Sequence, residues 1–167
     1  MTKWITLNKS WTIAVGGMIF QFGWFTDPVL LGDYPQEMKD VLGDRLPEST
    51  LDERNLLCGT ANFVGLNHYS TLDASVPTTE PDYDGYWADI HVNFTSRPEW
   101  PKTDMGWSVV PDGCQELLLW IHCRYDRPTL VMTKNGVRSA NRIFKRRSTT
   151  SLSIVLGRGG TISIRSM

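Results

Sequence analysis

Residues 131–137 read VMTKNGV. A short apolar run closes at Thr133, and a lysine then stands directly before Asn135-Gly136, a dipeptide typical of tight turns. The run that leads into it, TLVMT (129–133), is rich in residues that favour a pleated, half-buried strand. A lysine at the end of such a strand is unusual, and the chain does it twice. Lys9 takes the same place in ITLNKSW (5–11), after the apolar run 4–7. Between the two, NFVGLN (62–67) has the same form, a short apolar run that ends in asparagine. These three runs alternate with helix signals, an order that favours an α/β arrangement with parallel strands.

The helix signals are local. DGCQELLLWIHC (112–123) places apolar residues at 117, 118, 120 and 121 and predicts a helix. Thr50 followed by Glu53 has capping-box spacing and predicts a short helix through Leu57. PQEMKDVL (35–42) predicts another, with proline in its first turn. The apolar stretch 12–26 carries a helix expected over 18–25 and stopped by Asp27-Pro28, because the residue before a proline avoids helical geometry. Residues 71–104, rich in Pro, Asp and Thr and without periodicity, predict a long loop. SLSIVL and TISIR alternate apolar and polar residues around GRGG (157–160), a pattern that fits a β-hairpin.

The chain has 167 residues and is 41% hydrophobic, enough for one domain with a tail. Its net charge of −1 conceals a division. Residues 1–137 hold all 18 acidic residues against ten Lys/Arg, a balance of −8; residues 138–167 hold seven Arg/Lys and no acid. The chain therefore separates into residues 1–140 and a basic tail, 141–167. The run FKRR (144–147) reads as a solvated tail, and no nucleic-acid partner is expected. Cys58, Cys114 and Cys123 are scattered, without a disulfide framework or zinc spacing, so no metal is expected. No signal peptide and no membrane-length apolar run are visible, and the expected location is the cytoplasm.

Several of these segments together resemble glycoside hydrolase family 1, the β-glucosidases. WITLNKSW resembles the family's WxTxNEPW strand end, and FGWFTDPVLLGDYPQEMKDVLGDRLPEST looks like the segment after the fifth strand, with its GDYP and RLP landmarks. NFVGLNHYS is similar to FxGxNYYT, DMGWSVVPDGCQELLLWI to the MGWxxxPxG helix lead-in, and VMTKNGV to xxTENG. The resemblance covers residues 3–140. It implies an incomplete (β/α)8 TIM-barrel fragment holding the counterparts of strands 4, 6 and 7, followed by an unrelated basic tail. A closed barrel typically needs about 250 residues. The implied ligand is a β-glycoside or oligosaccharide, with no cofactor. No protein partner is indicated.

The resemblance also assigns roles. The acid/base glutamate belongs at position 9 and the nucleophile at position 134, and both are lysine here. The proline expected after the acid/base is Ser10. Asn8 matches the residue that contacts the sugar 2-hydroxyl, and Tyr69 the tyrosine that hydrogen-bonds the nucleophile. Asn67 and Asn135 complete the strand-end polar set. A retaining mechanism needs two carboxyl groups about 5–5.5 Å apart, one to protonate the leaving oxygen and one to attack the anomeric carbon. An ammonium does neither near neutral pH, since the lysine reference pKa is about 10.4. It also repels a cationic, oxocarbenium-like transition state. The expected protein is a β-glucosidase relative without activity. The alternatives are a non-enzymatic sugar- or protein-binding pseudoenzyme, and an active β-glucosidase that recruits other carboxylates such as Glu99 or Asp104.

Overall fold

The computed structural model describes residues 16–135, together with the backbone of strands 152–156 and 162–166. Asn8, Lys9 and the strand expected over 4–7 lie outside the described residues, as does the charge boundary near Asn141. The chain divides into two compact units. One takes the residues up to Thr60 together with Asp73–Thr95; the other takes Ala61–Leu72 and the residues from Ser96 onward. Among the described residues no helix is long and apolar enough to cross a membrane.

Among the described residues of the first unit, helical residues 16–18 lead into a π-helical turn, Ile19–Gly23, that runs directly into α1, Trp24–Leu30. The helix does not stop at Asp27-Pro28. It continues to Leu30, and the amides of Leu31 and Gly32 both close on the Asp27 carbonyl, at 2.7 and 3.1 Å. The bias that proline imposes on its predecessor is only a preference. Here Asp27 is 2% exposed, and packing holds it in helical geometry while the fixed φ of Pro28 suits a helix. Gly32, at φ +87°, then turns the chain away.

α2, Gln36–Leu42, follows the expected segment, with Pro35 at its N-cap. α3, Leu51–Leu57, begins at the expected capping box: the Thr50 hydroxyl accepts from the Glu53 amide at 3.3 Å, and the Glu53 carboxylate accepts from the Thr50 amide at 2.8 Å. Two devices tie these helices together. Asp33 accepts from Lys39 at 2.6 Å and pairs with Arg54 at 2.8 Å. The Gly59 amide donates to the Val29 carbonyl at 2.9 Å, joining the end of α3 to α1.

The segment expected as a long loop contains structure. β2, Asp73–Ser75, pairs antiparallel with β3, Asn93–Thr95, and α4, Tyr86–Ile90, lies between them. Three-residue strands are too short for alternation to register in sequence. What organises them is aromatic packing: Tyr86 lies 6.1 Å from Trp24 and 5.1 Å from Trp87, and Trp87 lies 6.4 Å from Phe94. Arg45 adds a two-pronged ion pair to Asp89, at 2.6 and 3.0 Å.

The second unit carries the strands expected from the apolar runs. β1, Val64–Asn67, lies parallel to β4, Leu130–Lys134, and α5, Pro111–Arg124, falls between them in sequence. Such a strand–helix–strand unit is the repeating element of α/β folds. α5 buries Cys114, Leu118, Trp120 and Ile121, while the strands bury Leu66, Leu130 and Met132. The register runs Val64 to Leu130, Gly65 to Val131 and Leu66 to Met132, then slips. β5, Leu152–Leu156, pairs antiparallel with β6, Ile162–Ser166.

Candidate functional site

The slip in register decides the geometry of the strand ends. A β-bulge between Leu66 and Asn67 skips Thr133, so Asn67 stands opposite Lys134. The His68 amide donates to the Lys134 carbonyl at 3.0 Å and extends the pairing one residue further. The skipped residue is also put to use. The Thr133 hydroxyl donates to Asn67 Oδ1 at 2.7 Å and lies 3.1 Å from the Leu66 carbonyl. This leaves the Asn67 amide nitrogen and the second acceptor site of its Oδ1 as the groups that exposed side chain offers to solvent. Lys134 and Asn135 are both exposed, and no carboxylate among the described residues is paired with the Lys134 ammonium.

Beyond β1 the chain places one residue after another on different partners. The His68 ring is half-buried, which pushes its pKa below 6.5 through the cost of desolvating the charged form. Its Nε2 lies 3.4 Å from the Thr71 hydroxyl, which donates to the Val110 carbonyl at 3.3 Å. Tyr69 leans on Trp107, with ring centroids 5.6 Å apart and planes inclined by 50°. Both rings remain partly open to solvent, at 39% and 38% exposure. Ser70 forms a reciprocal clip with Ser108: its oxygen accepts from the Ser108 amide at 3.0 Å, and its hydroxyl donates to the Ser108 carbonyl at 3.3 Å.

Of the residues singled out in sequence, Asn67, Lys134 and Asn135 are thus together at the carboxyl ends of two parallel strands, with Tyr69 two residues beyond. Open α/β sheets present their ligand sites at this end of the strands. Glu99 is exposed and Asp104 sits in the turn closed by the Gly106 amide on the Thr103 carbonyl, at 2.9 Å. Two contributors escaped the sequence. Thr133 reads there as one more strand residue, and only the bulge makes it the anchor of Asn67. Lys102 falls within the segment expected as a loop, yet its ammonium donates to the Ser96 hydroxyl, to Ser108 Oγ at 2.9 Å and to the Arg97 carbonyl at 3.1 Å. With three partners for three protons, Lys102 is a structural clip and Lys134 is the open cation of the two.

Residues 5–151 match the sequence profile of Glycosyl hydrolase family 1. The chain belongs to this family. The matched span continues to residue 151, past the charge boundary near Asn141. β-Glucosidase 11 of Oryza sativa subsp. japonica is 31% identical over 154 residues, 82% of this chain and 29% of that protein. The coniferin β-glucosidase of Pinus contorta is 39% identical over 124 residues, 70% of this chain and 24% of that protein. Among solved structures, a rice β-glucosidase matches with a TM-score of 0.70 at 31% identity, over 80% of this chain and 30% of that one. A β-glucosidase from Trichoderma harzianum matches with a TM-score of 0.65 at 32% identity, over 75% of this chain and 28% of that one. The fold is therefore part of an α/β barrel, and the chain spans about three tenths or less of the length of these family 1 relatives.

Proposed function

We propose that this chain is a family 1 relative that binds β-glycosides without hydrolysing them by the retaining mechanism. β1 is taken as the counterpart of the family's sixth barrel strand and β4 as that of its seventh. Lys134 then occupies the nucleophile position and Lys9 the acid/base position. The observation that carries the proposal is Lys134 itself, a cation exposed at a parallel-strand end, opposite an asparagine and unpaired with any carboxylate among the described residues.

The chemistry follows from charge. A retaining hydrolase passes through a sugar cation, stabilised by the carboxylate that then bonds to the anomeric carbon. An ammonium at that place has no electron pair to donate, and its field raises the energy of the same cation. Loss of the lysine proton would remove the repulsion and still leave no acid to assist the leaving oxygen. What survives replacement of the carboxylates is recognition: the Asn67 and Asn135 amides can meet hydroxyls, and the Tyr69–Trp107 pair can receive the apolar face of a sugar ring.

Hydrolysis of p-nitrophenyl β-glucoside by the purified chain tests this directly. Release of p-nitrophenol at the rate of a buffer blank is expected. Turnover that disappears when Lys134 is changed to Met would overthrow the reading and favour an active β-glucosidase.

A further inference from the structure

We infer that the basic tail is an internal partner of the parallel strands: the hairpin β5–β6 docks on β4, and the strand that carries Lys134 keeps its order through that contact. The inference does not depend on the glycoside reading, because it concerns what holds the strand and not what binds at its end.

A hairpin of this size does not stand alone. An isolated two-stranded ladder is marginally stable at best in water and needs a further apolar surface against one face. β5 and β6 have a face that asks for one. Their register sets Ile154 opposite Ile164 and Leu156 opposite Ile162, and residues directly opposite share a face of the ladder. Strand alternation puts Leu152 on that same face, and Ser153, Val155, Ser163 and Arg165 on the other. One face of the hairpin is therefore apolar and the other mainly polar.

β4 has the matching need. It shares a two-stranded sheet with β1, so one of its edges has no ladder partner among the described residues. Parallel strands are ordinarily flanked and covered on both faces. β5 lies against β4 within the same compact unit, and its ladder is separate from that of β4. The contact is thus one of packing and not of shared ladder hydrogen bonds.

Charge and tethering favour the same partner. Residues 1–137 sum to −8 and residues 138–167 to +7, so the tail is attracted to the chain that carries it. Residues 136–151 connect β4 to β5, and a short connection gives the hairpin an effective concentration at β4 that a second copy does not reach.

Hydrogen exchange of the full chain, read by mass spectrometry on peptides covering residues 130–134, tests this. Ile164→Asp and Ser163→Asp add the same charge to the tail on opposite faces of β6. Ile164→Asp is expected to speed exchange in β4 about tenfold, and Ser163→Asp to leave it within about twofold of the parent. If Ile164→Asp abolishes the far-ultraviolet circular dichroism of the chain, the milder Ile164→Ser is read in the same way. Exchange in the parent should also quicken between roughly 0.05 and 0.5 M sodium chloride, as the attraction is screened. Equal acceleration by the two aspartates would overturn the contact through the apolar face, and no acceleration by either would overturn the docking. Exchange unaffected by salt would overturn the part given to charge. Protection of β4 that rises with protein concentration would assign the contact to a second copy and overturn the internal one.

Discussion

Lys134 and His68 are joined by a backbone hydrogen bond at the end of β4, and their side chains sit in different surroundings. Lys134 is exposed, whereas the His68 ring is half-buried and held below its ordinary pKa of 6.5 by desolvation. The sign of the linkage follows. A depressed folded-state pKa means that the unfolded chain binds the proton more readily, so stability rises with pH through the interval. The His68 contribution is complete above pH 6.5 and is lost as pH falls from there toward the lower folded-state value. Denaturant titrations at pH 7.5 and 5.5 should therefore show lower stability at the acid end, and His68→Gln should reduce that difference. A variant with the same difference as the parent would rule His68 out as its source. Asp33 behaves separately. Burial raises its pKa, but hydrogen bonds from Lys39 and the Tyr34 amide, with the charges of Lys39 and Arg54, outweigh that and hold it below 3.8. Its contribution is present above 3.8 and is lost only in stronger acid, outside the His68 interval.

At the scale of the element, α3 and α5 show two ways in which a helix is fixed. α3 has seven residues, and none of them is buried. Its order depends on the capping box more than on packing, since helices this short are marginal on propensity alone. Thr50→Ala should cost about 1 kcal/mol, read as a lower denaturation midpoint with an unchanged denaturant slope. α5 is held from outside. A Cβ at Gly113 would overlap both Thr71 Oγ1 and Thr71 Cγ2, so the start of this helix lies directly against the segment that follows β1. Gly113→Ala should cost about 1–3 kcal/mol by overpacking. Thr71→Ala in the same chain should recover part of the loss, and a double-mutant cycle measures the coupling. Strictly additive effects would show that the two residues do not meet.

At the scale of the whole molecule, apolar surface is the dominant quantity. Leu51 and Leu56 of α3 are 73% and 75% exposed, and Phe25, Leu31, Tyr83, Trp87 and Met105 are also open. The chain spans 24–30% of the family 1 relatives described above, and barrel proteins cover such faces with neighbouring strands and helices. Uncovered faces of this kind promote association. Sedimentation velocity should show self-association that grows with protein concentration, and Leu51→Glu combined with Leu56→Glu should reduce it. A chain that stays monomeric up to 100 µM, roughly the range where exposed apolar surface drives association, would show that these faces do not attract one another.

Much of the architecture was legible because its causes are local. The Thr50–Glu53 box, the apolar positions of α5 and the short runs of β1 and β4 each carry their signal within a few residues, where hydrophobic period and capping chemistry act. The family was legible for a related reason, since landmarks such as GDYP, NFVGLN and MGWSVVP keep their residues and their order. Other features needed the folded chain. α1 passes through Asp27-Pro28 because packing of a buried aspartate outweighs a backbone preference. β2 and β3 exist because aromatic rings from distant positions bring three-residue segments together. The pairing of Asn67 with Lys134 depends on a one-residue slip between strands more than sixty residues apart, and no local pattern encodes a slip. The sequence by itself determined which charges stand at the strand ends. The tertiary structure decided which residue each charge faces, because register is a property of two strands at once.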